Sequence, residues 1–178
     1  FDTGTGPRHG IFDRDHKQLF LVSELSNQVF VYSLTEDAAA GTDSGHNSIS
    51  LPDFSMRLLH IRSILPLDAV YEEPPASAAI RLSPDQRFLY VSTRFAELIT
   101  VFKTSHGRLE QIQQTGCGGI HPRDMVLTPD GRYLLVANRT QGGLVSFQLN
   151  PETGELLDIC SRVPAPEAVS IVLSQHTI

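Results

Sequence analysis

Three stretches of this chain repeat one another without gaps, and an internal repeat constrains a fold more tightly than any single motif. They read PRHGIFDRDHKQLFLVSELSNQVFVYSL from Pro7, SAAIRLSPDQRFLYVSTRFAELITVFKT from Ser77 and PRDMVLTPDGRYLLVANRTQGGLVSFQL from Pro122, at intervals of 70 and 45 residues. A period of about 45 residues is that of a four-stranded propeller blade. The longer first interval requires one insertion, placed at 37–56, where Ala, Gly, Ser, Asp and Asn predominate. An irregular excursion outside the blade is expected there.

Each repeat has the same internal order. A short apolar strand (Gly10–Phe12, Ile80–Leu82, Met125–Leu127) leads into a turn in which Asp15, Asp85 and Asp130 hold equivalent positions. A short acceptor side chain there can bond nearby backbone N–H groups, so these aspartates are read as turn formers. The next strands, LFLVS, FLYVS and YLLVA, are apolar throughout, which suits strands covered on both faces. A third strand follows (Val29–Leu34, Ile99–Lys103, Leu144–Leu149), then a more polar fourth (Leu58–Ile64, Arg108–Gln113, Glu155–Ser161) suited to an outer edge. Residues 166–174 restate the first strand of another blade. The expected fold is therefore all-β. It is a single partial β-propeller over 1–178, with antiparallel four-stranded blades at 7–65, 77–115 and 122–163 and one strand of a fourth. Propellers close with about four to eight blades. The remaining blades are expected from a missing half of the protein or from a second chain, and the start at Phe1 points to a processed or truncated product.

A formal net charge of −6 gives no broad basic field, which excludes general nucleic-acid or membrane-surface binding. The apolar runs are too short to span a bilayer. Cys117 and Cys160 lack metal-type spacing and read as two reduced thiols of a cytoplasmic protein. The histidines show no metal-site spacing. Gly4-Thr5-Gly6 lacks the following helix of a dinucleotide loop, and no G-x-S-x-G elbow is present. No metal or cofactor is expected.

In an antiparallel blade the start of the first strand and the end of the second lie at the same mouth of the channel. Arg8 and His9 stand at the first such start, and His121, Arg123 and Asp124 at the third. Just beyond the second strands stand Glu24, Arg94 and Arg139. Arginines around a carboxylate and an imidazole suit a small anionic substrate. Guanidinium groups hold phosphate or carboxylate, and His or Glu can move a proton. Structural ion pairs between blades are the competing reading.

GPRH at Gly6–His9 resembles the lactonase family of seven-bladed β-propellers, which includes propeller-type 6-phosphogluconolactonases and carboxy-muconate lactonizing enzymes. The likeness continues through SELSNQVFVY, IRLSPDQRFLYVSTR, HPRDMVLTPDGRYLLVAN and NPETGEL, over almost the whole chain. The resemblance implies metal-independent lactone chemistry, in the C-terminal half of a seven-bladed ring. It carries over Arg8, His9 and Glu24 as catalytic residues and Arg94 and Arg123 as substrate-binding residues. Arg139 is placed with them, although the family more often has an uncharged polar residue there. The expected reaction is hydrolysis of 6-phosphogluconolactone to 6-phosphogluconate. Muconate lactonization and a non-catalytic binding scaffold are the alternatives.

Overall fold

A computed structural model describes residues 2–15, 17–37, 53–66 and 68–174. The described chain is built from strands and turns. The strands are β1 (Pro7–Phe12), β2 (Gln18–Ser23), β3 (Gln28–Asp37), β4 (Asp53–Ser63), β5 (Ala76–Leu82), β6 (Phe88–Arg94), β7 (Leu98–Ser105), β8 (Arg108–Gly116), β9 (Ile120–Leu127), β10 (Tyr133–Gln141), β11 (Gly143–Leu149) and β12 (Leu156–Val163). They form three antiparallel sheets of four, in the orders β1-β2-β3-β4, β5-β6-β7-β8 and β9-β10-β11-β12. Each repeat is one blade. The first strands are neighbours, β5 lying against both β1 and β9, so the blades fan out from them. Among the described residues no helix is long and apolar enough to cross a membrane.

The all-apolar second strands are explained by packing on both faces. In β6, Leu89 and Val91 point toward the first blade and join Phe20, Val22, Val29, Val31 and Ile64. Phe88 and Tyr90, one residue out of phase, point toward the third blade and join Met125, Leu134, Val136, Val145 and Phe147. Every residue of β6 is buried. Strand periodicity alone thus sends alternate side chains into two different cores, and each fully buried large residue contributes roughly 1.5–3 kcal/mol.

Three expectations are corrected. The excursion at 37–56 is strand at both ends, because the β3–β4 ladder continues from Ser33–Arg57 to Asp37–Asp53. Thr35 and Ser55 bond across it at 2.6 Å. The fourth strand therefore starts at Asp53 rather than Leu58, and the middle of the insertion, 38–52, lies outside the described residues. Residues 164–174 form no strand. Their bonds go to a side chain and a lone carbonyl instead of a ladder: Ile171 N–H and Ser170 Oγ–H donate to Asp124, and Glu167 N–H donates to the Arg139 carbonyl. Finally, the turn aspartate of the first blade is Asp13, not Asp15. Asp13 accepts from the N–H groups of Lys17 and Gln18 at 2.7 and 3.0 Å. Asp85 and Asp130 act as expected, accepting from the N–H of Arg87 and of Arg132, both at 3.1 Å.

Candidate functional site

A local irregularity recurs at the inner mouth of all three blades. The β1–β2 register passes from His9↔Val22 to Pro7↔Ser23, leaving Arg8 as the extra residue. The β9–β10 register passes from Asp124↔Ala137 to Pro122↔Asn138, leaving Arg123 extra. The second blade makes the same slip between Ser77 and Ile80, around Ala78. Arg8, Ala78 and Arg123 are equivalent in the repeat, so each first strand carries a bulge at its start. A bulge bends the strand and re-aims a side chain; here it turns Arg8 and Arg123 into the channel mouth.

Arg8, His9, Arg123, Asp124, Arg139, Glu167, Val169 and Ser170 line one open concavity of about 620 Å³. Arg8 donates to the carbonyl of Ala78, its counterpart in the next blade, at 2.6 Å. Its Nε lies 3.3 Å from Glu24 Oε2. The other oxygen of Glu24 pairs with Arg94 Nη2, and Arg94 also donates to the Ala76 carbonyl at 3.3 Å. Glu24 therefore lies between two guanidinium groups from adjacent blades. Arg94 is 7% exposed and sits behind Glu24. The structure thus brings Arg8, His9 and Arg123 into one concavity and joins Glu24 and Arg94 to it through Arg8. Arg139 also lines the concavity, but is paired with Glu167 at 2.9 Å.

Arg123 differs from these arginines: among the described residues no carboxylate pairs with it. His9 lies against Arg8, whose Nη1 donates to its Nδ1 at 3.0 Å. Partial burial, then Arg8 and Arg81, push the His9 pKa down from its ordinary value, which favours the neutral ring, and an Nδ1 that accepts from Arg8 leaves the proton on Nε2. His121 is depressed in the same way by burial and by Arg94, Arg123 and Arg139. Burial pushes the Cys117 thiol up to about 11, leaving it unreactive; Cys117 and Cys160 are both free.

Two groups here have no role in the sequence reading: Asp124, which it names only as a charge at the third strand start, and Glu167. Asp124 is held by Arg81 at 2.7 Å and by its neighbour's N–H at 2.8 Å, so it fixes the concavity's floor. Glu167 belongs to the irregular 164–174 segment, read as strand from its apolar residues. The Asp124 signal was its place beside Arg123 at a strand start; Glu167 had none.

A model of the lactonase family, seven-bladed β-propellers, matches residues 1–173. The chain is 31% identical over 173 residues to a 6-phosphogluconolactonase of Bacillus subtilis, covering 96% of this chain and 45% of the relative. A 6-phosphogluconolactonase of Formosa agariphila is 32% identical, over 86% of this chain and 39% of that protein. Among solved structures, a periplasmic gluconolactonase of Pseudomonas aeruginosa superposes with a TM-score of 0.80 at 27% identity, covering 95% of this chain and 42% of the other. A protein from Lactobacillus plantarum superposes at 0.79 with 31% identity, over 95% and 45%. The chain spans somewhat less than half the length of the relatives it matches.

Proposed function

The chain belongs to the lactonase family of seven-bladed β-propellers, and from that membership and the geometry of the channel mouth we propose that the protein hydrolyses a sugar-acid lactone, 6-phosphogluconolactone, to its open acid. The observation that carries this is Arg123, paired with no carboxylate among the described residues, in the same concavity as Arg8, which is itself paired with Glu24. A free guanidinium at an open site holds a phosphate or carboxylate. Arg8 then lies where it can polarise the lactone carbonyl and stabilise the oxyanion that forms on it.

Proton handling falls to Glu24 and His9. As Arg8 engages the carbonyl oxygen, Glu24 Oε2 is released to accept a proton from the attacking water. Water oxygen bonds to the carbonyl carbon and the ring ester bond breaks. The proton held by Glu24 returns to the departing ring oxygen, which His9 Nε2–H steadies as a donor. Arg94 keeps Glu24 in place, and Arg139, already paired with Glu167, is an outer anion contact. The active assembly contains further blades that complete the ring, in keeping with relatives about twice this length. The two free thiols favour a cytoplasmic location. Paired rim charges such as Arg139–Glu167 would also suit a binding scaffold; the unpaired Arg123 is what favours turnover.

Hydrolysis of 6-phosphogluconolactone and of unphosphorylated gluconolactone by the ring-complete protein tests this. Arg123→Ala should raise KM for the phosphorylated lactone about tenfold and leave the other nearly unchanged, as expected for one charge-assisted contact. Glu24→Gln should lower kcat on both about a hundredfold. Wild-type protein inactive on both lactones, or an Arg123→Ala effect equal on both, would overturn the reading.

A further inference from the structure

At the rim between the second and third blades, three non-glycine residues adopt left-handed backbone: Phe95 (φ 66), Glu97 (φ 56) and His121 (φ 66). One carboxylate joins them. Glu97 Oε1 accepts the Phe95 N–H at 3.1 Å and Oε2 accepts the His121 N–H at 2.5 Å. The Phe95 and His121 rings meet edge to face, centroids 5.4 Å apart, and the Arg94 guanidinium lies 5.9 Å from the Phe95 ring. Phe95 directly follows Arg94, and His121 stands two residues before Arg123. A left-handed conformation of a bulky residue persists only where its surroundings over-determine it, and such conformations cluster at functional sites.

The repeat provides an internal comparison. The position of Glu97 is occupied in the first blade by Asn27, also left-handed (φ 50). Asn27 Oδ1 accepts from the N–H and hydroxyl of Ser77, and its Nδ2 donates to the Pro75 carbonyl. The same turn thus latches the first blade to the first strand of the second, and the second blade to the first strand of the third. In the third blade the position is Gly142, which has no side chain to offer. A neutral amide suffices between the first two blades, whereas the latch beside Arg94 and Arg123 is a carboxylate.

We infer that Glu97 is a positioning residue: its carboxylate holds the backbones carrying Arg94 and Arg123 in register across two blades, so that Arg123 faces Arg8 over the concavity. This rests on the lactonase reading for its substrate but not for its geometry. Two N–H donors need two acceptor oxygens. Glutamine has one, and its NH2 group would confront a second donor.

The test is Glu97→Gln in the full-length protein, with Glu97→Asp as a second variant in case the first folds poorly. Turnover of 6-phosphogluconolactone is followed together with the shift of the Arg123 side-chain NMR resonance on adding inorganic phosphate. Expected are a KM raised about tenfold with kcat within twofold, a phosphate response of Arg123 weakened by a similar factor, and faster exchange of the Phe95 or His121 amide. Unchanged KM and phosphate response in a folded variant would overturn the inference, as would a loss in kcat alone. If wild-type protein turns over no lactone, the lactonase reading fails by itself; the phosphate response and amide exchange then decide the role of Glu97.

Discussion

Two histidines near the channel mouth, His121 half-buried and His9 exposed, stand among arginines, and both resist protonation in the folded protein. Their folded pKa values lie below the ordinary 6.5. A group depressed in this way contributes stability that is present above its unfolded pKa and lost as pH falls from there through the folded value. The melting temperature should therefore decline between pH 7.5 and 5.5, before carboxylate protonation matters. His121→Gln, which removes one of the two groups, should flatten that decline. Thermal melts at half-unit pH steps check this; a melting temperature that is level or rises toward pH 5.5 would contradict the assignment. The same arginine field explains why residue types at the mouth were legible in the sequence while their roles were not. Arg8, His9, Glu24, Arg94 and Arg123 stand at strand ends that the repeat identifies. Nothing in the letters says that Arg94 is buried behind Glu24 or that Arg139 meets Glu167, because those partners come from other blades and from a segment without regular structure.

The blade-to-blade seams depend on turns as much as on apolar faces. Tyr90, fully buried on β6, donates its hydroxyl to the Gly154 carbonyl of the next blade at 2.8 Å. Gly154 has φ 76, and a Cβ there would overlap the Phe88 ring. Tyr90→Phe leaves that carbonyl without its donor and should cost about 1–2 kcal/mol. Gly154→Ala adds both backbone strain and an overlap and should cost more, about 2–4 kcal/mol. Urea unfolding of the two variants measures both, and a Gly154→Ala protein as stable as wild type would show that the seam yields easily. The strands themselves were readable: the ungapped repeat spans the first three of each blade, and the polar stretches after it locate the fourth, although β4 begins at Asp53 and not at Leu58. The bulges were not. An extra backbone residue changes no hydrophobic pattern, so Arg8 and Arg123 look like ordinary strand residues until the register is seen. The β3–β4 extension escaped for a related reason: Thr35 and Ser55 are polar, and the small and polar composition of 37–56 reads as loop. Residues 164–174 erred the other way. Val169, Ile171 and Leu173 suggest a strand, but the Ile171 N–H and the Ser170 hydroxyl bond to Asp124 in place of a ladder.

The three blades are not equivalent in the whole molecule, because the second is a wall of both cores. Its β5 and β6 send Ile80, Leu89 and Val91 one way and Ala79, Phe88 and Tyr90 the other. The two clusters have no member in common, so among the described residues the apolar cores of the first and third blades meet only through that sheet. Energetic coupling follows contact: substitutions without shared neighbours add to within about 0.5 kcal/mol, whereas neighbours deviate. Val22 of the first blade and Val136 of the third are both fully buried, one in each cluster. Truncating either to Ala removes two methyl groups and should cost about 2 kcal/mol. The double variant Val22→Ala/Val136→Ala should lose the sum. Val22→Ala/Val91→Ala, both within one cluster across the same seam, should depart from additivity because each truncation relaxes the cavity left by the other. Urea unfolding of the three single and two double variants distinguishes the two cases. A strong coupling between Val22 and Val136 would mean that the second blade transmits strain instead of isolating it. The rim would then be affected as well, since Arg8 and Glu24 on one side and Arg123 on the other are held in relation through the same strands, β5 and β6.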